Sequence, residues 1–165
     1  MNPAELVTPK LIELCKDKQL IVVCGYTKTG KVTIAKKLAE ELNRKLLKSD
    51  DYQMFEEQSL EMLMNDVIDS LKRKEQIIIE GILCFRLLRK GMEQMSILPD
   101  MLIKTECNEE TIRHFYEKDD ESSKIDRALS FNKGLNKIWQ DYLNLLYYSP
   151  YVIPPEYIEL NTSIK

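Results

Sequence analysis

The sequence predicts an α/β fold: a doubly wound, parallel, five-stranded sheet with helices on both faces and a short lid segment. Three observations predict it. Short apolar runs of strand length alternate with longer stretches of helical periodicity. Two of the runs, QLIVVC at 19–24 and QIIIE at 76–80, are almost uninterrupted, as suits strands covered on both faces. Between the first run and the first long amphipathic stretch lies a turn bounded by glycines, Gly25 to Gly30.

The elements follow in chain order. Residues 8–18 read as a short amphipathic helix, with Thr8 as N-cap and Pro9 in its first turn. The strand at 19–24 leads through the glycine-bounded turn into a helix over 31–42, whose apolar stripe is Ile34, Leu38, Ala39 and Leu42. A second strand is expected at 45–48. The helix expected over 59–73 carries Leu60, Leu63, Met64, Val67, Ile68 and Leu71 at helical spacing. The β-branched triplet Ile77, Ile78 and Ile79 marks the third strand. Residues 81–100 carry no assigned element. A fourth strand at 101–105 and a helix at 109–117 follow.

Residues 118–127 (KDDESSKIDR) lack an apolar stripe and a turn glycine, and read as a solvated loop or a mobile lid reaching to about 130. A long helix is expected from about Gly134 to Tyr147. Pro150, Pro154 and Pro155 stop it before a last strand at 157–160. Trp139, Tyr142, Leu145 and Leu146 are expected in the core, and Tyr147 and Tyr148 packed at the helix end.

At 165 residues the chain is expected to form one domain over 1–165. A net charge of −3 gives no overall cationic field, so neither nucleic acid nor a membrane surface is an expected partner, and composition fixes no oligomeric state. Lys36, Lys37, Arg44, Lys45 and Lys48 read as a solvated basic edge. No apolar run approaches the roughly 18 residues of a membrane span, and the N-terminus lacks a signal-peptide core. The four cysteines, Cys15, Cys24, Cys84 and Cys107, form no Cys-x-x-Cys pair and read as reduced, buried thiols. A reducing cytoplasmic setting is expected. A single histidine, His114, disfavours a histidine triad or zinc site.

The segment Gly25-Tyr26-Thr27-Lys28-Thr29-Gly30-Lys31-Val32-Thr33 carries the most chemistry. It follows a strand and opens a helix, the context that a phosphate-binding P-loop requires. The glycines let successive amides point inward, Lys31 supplies a charge for β- and γ-phosphates, and the helix start adds its partial positive charge. A P-loop NTPase fold is therefore expected. The position after the lysine, ordinarily a metal-binding Ser or Thr, is Val32. Thr33 is the nearest hydroxyl for a Mg²⁺ site, with Glu80.

Two carboxylates stand at strand ends. Asp50, in Ser49-Asp50-Asp51-Tyr52, follows the second strand, and adjacent strand ends open into one crevice. It reads either as a proton acceptor facing the phosphates or as a cap on the next helix. Glu80 ends an otherwise apolar strand, where a carboxylate needs a metal, a hydroxyl or a base. Gly81 after it indicates a close backbone approach or a plain turn.

With GYTKTGKVT, KSDDY and IIIEGILCF in order, the chain resembles the uridine kinase and nicotinamide riboside kinase branch of P-loop small-molecule kinases. Looser likeness lies in CNEETIRHFYEKDD and FNKGLNKIWQDYLNLL. The resemblance implies transfer of the γ-phosphoryl group of ATP, with Mg²⁺, to a hydroxyl of a nucleoside-like small molecule. It implies Asp50 as general base, Lys31 as phosphate lysine and Glu80 as the acid near metal and substrate. Arg113, Lys118 and Arg127 are the lid positions left to meet phosphate charge, a poorer set than the family's arginines. Two other readings stay open: a catalytically degenerate nucleotide-binding module, and a nucleoside monophosphate kinase.

Overall fold

The structure is a computed structural model and describes residues 2–164. Five parallel strands form one sheet: β1 (Leu20–Gly25), β2 (Lys45–Lys48), β3 (Ile77–Glu80), β4 (Met101–Glu106) and β5 (Glu156–Asn161). Their spatial order is β2-β3-β1-β4-β5, so the chain winds first to one side of β1 and then to the other. Loops leaving neighbouring strand tips diverge at that reversal and open a crevice at the carboxyl edge.

Strand alternation sorts the core into two layers. Leu20, Val22, Cys24, Ile77, Ile79 and Leu102 face α3 (Ser59–Lys72), α4 (Leu83–Glu93) and α6 (Ile125–Tyr148), burying Leu63, Phe85, Leu88 and Trp139. Ile21, Val23, Ile78, Met101 and Ile103 face α1 (Pro9–Cys15) and α2 (Lys31–Leu42), burying Leu11, Ile34 and Leu38. A third, small cluster of Ile112, Tyr116, Ile125 and Ala128 joins α5 (Glu109–Lys118) to the start of α6. Thr8 caps α1 through Leu11 N at 3.2 Å, and Asn108 caps α5 through Thr111 N at 2.8 Å.

Three expectations are corrected. A helix, α4, occupies 83–93, where none was assigned; Cys84, Leu87, Leu88 and Met92 form its buried stripe. The long last helix starts at Ile125, not near Gly134, because Ile125, Ala128, Asn132 and Leu135 bury one continuous face through the supposed lid. Tyr147 and Tyr148 pack only edge-to-face on each other and are 84% and 78% exposed. Trp139 and Tyr142 are buried as expected, with Leu145 and Leu146 partly so. Cys15, Cys24 and Cys84 are buried free thiols, and Cys107 is half-buried.

Gly134 therefore sits inside a helix, exposed, where an added Cβ meets nothing within 4 Å. Gly134→Ala is expected to raise stability by about 0.5–1 kcal/mol, seen as a Tm higher by roughly 1–4 °C in a thermal melt.

Candidate functional site

The turn between β1 and α2 is shaped by its backbone. Lys28 and Gly30 have φ of 59° and 78°, both left-handed. A side chain on Gly30 would be strained and would also meet Pro3 Cγ at 2.5 Å, since the N-terminal turn leans on this point. The carbonyl of Tyr26 curls inward and accepts from Lys31 Nζ at 3.0 Å and from Thr29 Oγ1 at 2.8 Å. Thr29 Oγ1 also shares a 2.6 Å hydrogen bond with Thr105 Oγ1 at the end of β4, anchoring the turn to the sheet.

Lys31 is 8% exposed at the start of α2. Burial pulls its ammonium below the ordinary lysine range, opposed chiefly by Glu80 and then by Asp50. Glu80, 2% exposed, lies in register between Val23 of β1 and Lys48 of β2. Burial raises its carboxyl above the ordinary value, while Lys31 opposes the rise. The tight neighbour of Gly81, whose φ is 129°, is Ser49: a Cβ there would meet Ser49 Oγ at 1.8 Å. That close approach draws the tips of β2 and β3 together and brings Asp50 beside Glu80.

Asp50 opens the 3₁₀ segment Ser49–Gln58 and is exposed. The segment has no side-chain cap, and the Asp50 carboxylate accepts from Gln53 Nε2 at 3.3 Å instead. One cation and two carboxylates thus converge at the carboxyl edge of β1, β2 and β3. Val32 offers no oxygen, and Thr33 is exposed on α2.

The sheet order, the left-handed turn and the lysine at a helix start together decide the architecture. This is a P-loop fold. A solved structure of a presumed kinase from Chloroflexus aurantiacus J-10-fl shares it, with a TM-score of 0.58 at 15% identity over 88% of this chain and 87% of that one. Two shikimate kinases overlap less well. The one from Acinetobacter baumannii, in complex with shikimate, gives a TM-score of 0.48 at 14% identity, covering 93% and 87% of the two chains. The one from Bacteroides thetaiotaomicron gives 0.46 at 16%, covering 88% and 86%. None of the three is named as a uridine or nicotinamide riboside kinase. No protein-family profile matches the sequence, and no curated protein matches it significantly.

The arm formed by α5, residues 119–124 and the start of α6 lies against the P-loop. Lys28 Nζ donates to Asp119 Oδ2 at 2.7 Å, lies 3.5 Å from Glu121 Oε1 and stands over the Tyr116 ring. The hydrogen bond raises the Lys28 ammonium and lowers the Asp119 carboxyl. Thr27 N donates to Asn132 Oδ1 at 3.3 Å, and Tyr26 Oη to Asn136 Oδ1 at 3.0 Å. The Tyr26 ring stacks on Phe85, with Lys104 Nζ 4.9 Å above it.

Of the three lid cations, Arg113 pairs with Glu109 on its own helix at 2.7 Å, and Lys118 and Arg127 are exposed. The sequence points to this segment for positive charge, whereas the groups that reach the P-loop include Asp119, Glu121, Asn132 and Asn136. The acids were visible in KDDE, but only the backbone shows that they face a lysine of the loop.

A cavity of about 260 Å³ opens beside the loop, lined by Pro3, Lys28, Thr29, Gly30, Phe115 and Asp119 among others. Among the described residues no cluster of three or more His, Cys, Asp or Glu forms a ready-made metal cage. Mg²⁺ needs no such cage beside a polyphosphate, because one or two carboxylates, phosphate oxygens and waters complete its octahedron. Glu80 and Asp50 provide hard oxygen donors of that kind. No helix among the described residues is long and apolar enough to cross a membrane.

Proposed function

We propose that this chain binds ATP with Mg²⁺ and transfers the γ-phosphoryl group to a hydroxyl of a nucleoside-like small molecule, in the manner of the uridine and nicotinamide riboside kinases it resembles. The observation that carries the reading is the buried Lys31 ammonium, coupled to Glu80 and Asp50 at the strand tips beside the P-loop. Phosphoryl transfer asks a protein mainly to position groups and supply charge, and this cluster suits both tasks.

In this reading the loop amides and Lys31 hold the β- and γ-phosphates, with Lys31 exchanging the Tyr26 carbonyl for phosphate oxygen. Glu80 is the residue that would hold the metal, which would neutralise phosphate charge when bound. Asp50, the exposed carboxylate of the pair, accepts the proton of the attacking hydroxyl. Burial of Lys31 and Glu80 in a low-dielectric wall strengthens their pull on the transferring group. The chain acts as one domain of 165 residues on a small-molecule acceptor in the cytoplasm.

A second reading, a nucleotide-binding module with little turnover, is favoured by Val32 in place of the metal-binding hydroxyl. One screen separates the two. Purified protein is assayed with Mg·ATP over nucleosides, nicotinamide riboside, nucleoside monophosphates and small hydroxylated metabolites, beside Asp50→Asn. The kinase reading expects turnover on a nucleoside-like acceptor and a fall of about 10²- to 10⁴-fold in the variant. Tight ATP binding without turnover on any acceptor selects the binding module, and equal turnover in both proteins removes Asp50 from its role.

A further inference from the structure

Asn132 is 7% exposed on the first turns of α6, between the buried residues Ala128 and Leu135. Leucine or alanine would fill that place without polar cost, so a carboxamide there calls for a reason. Its Oδ1 accepts from Thr27 N of the P-loop. The orientation is set by Thr27, because a backbone amide can only donate. The other end of the carboxamide, Nδ2, is buried and has no hydrogen-bond partner, and neither has Thr27 Oγ1 in the same contact. A buried donor left without an acceptor is costly. The place is chemically specific: the residue before Thr27 is Tyr26, whose carbonyl receives Lys31 Nζ. A P-loop lysine reaches β- and γ-phosphates, so Asn132 stands at the terminal-phosphate end of the cradle.

We propose that Asn132 is a ligand-binding residue of this site, whose Nδ2 donates to the terminal phosphoryl group of a bound nucleoside triphosphate. The assignment rests on the phosphoryl-transfer reading above and adds a specificity element to it. As phosphate takes over the Thr27 amide, the carboxamide is released from the loop and its unpartnered donor finds an acceptor. A diphosphate leaves that donor without one. Asn132 thereby favours the substrate nucleotide over the product nucleotide, using a neutral side chain where Arg113 is paired with Glu109.

The test is calorimetric titration of the whole protein, with Mg²⁺, using the β,γ-imido analogue of ATP and, separately, ADP. Asn132→Asp keeps an oxygen for the Thr27 amide and replaces the donor by a negative charge. It is expected to weaken triphosphate binding by about 10- to 100-fold while changing ADP binding by less than about threefold. Asn132→Ala, which covers the case of an aspartate variant that does not fold, is expected to show the same ordering with a smaller loss. Equal losses for the two nucleotides, or none, overturn the proposal and leave the kinase reading intact. Failure of the unmodified protein to bind either nucleotide overturns both.

Discussion

Lys31→Met is expected to weaken binding of Mg·ATP by on the order of 10²-fold and to remove phosphoryl transfer. An ammonium on a phosphate makes charge-assisted hydrogen bonds worth about 1.5–3 kcal/mol each, and methionine keeps the stem while losing all of them. The substitution also strips Glu80 of the cation that most opposes its burial. A buried carboxylate without its partner is destabilising by about 3–5 kcal/mol when it stays ionised, so the variant should melt earlier at neutral pH. As pH falls the gap should narrow, because Glu80, raised further once Lys31 no longer opposes its burial, then holds its proton. Calorimetry and thermal melts at two pH values check both parts. Undiminished ATP affinity would mean that the turn after β1 is not the phosphate seat.

Glu80→Gln should separate stability from activity. In the fold the Glu80 carboxyl is raised by burial, so the folded protein keeps this proton at pH values where the unfolded chain has released it. Stability from this group is therefore greatest below the ordinary carboxylate value and declines as pH climbs through the raised one. Glutamine does not titrate, so the melting temperature of the variant relative to the native protein should rise as pH climbs above the ordinary carboxylate value of 4.5. Turnover should fall by about 10²-fold or more, as expected for loss of an electrostatic or metal-holding group at a transferring phosphoryl. A flat Tm difference across that window would show that Glu80 does not titrate in a buried setting.

Much of the fold was legible because two periods dominate it. The limits of α2 and β2 coincide with the sequence reading, and Ile77, Ile78 and Ile79 announce β3 without ambiguity. The α4 segment escapes a first reading because LCFRLLRKGME mixes charges into a narrow stripe, Cys84, Leu87, Leu88 and Met92, that needs an explicit helical count. The start of α6 is hidden by its polarity: Ile125, Ala128 and Leu129 are spaced as a helix face, but the pocket that receives them is built by α5.

The site divides in the same way. Lys31 belongs to a local motif and Glu80 to a strand end, so linear sequence suffices to find them. Asn132 and Asp119 meet Thr27 and Lys28 only after about a hundred residues of chain have wound through β4, and no local spacing encodes that. Arg113 shows the converse. Its charge fits a lid by composition, yet Glu109 one turn earlier claims it.

The small cluster of Ile112, Tyr116, Ile125 and Ala128 has a mechanical consequence. These side chains bury one another and not the central sheet, so the paddle they build keeps its shape whether or not it touches the loop. Swinging it outward would sever a few polar tethers to residues 26–28 and uncover little oil. Because α6 runs unbroken from this cluster into the main core, such a swing requires a bend within that helix.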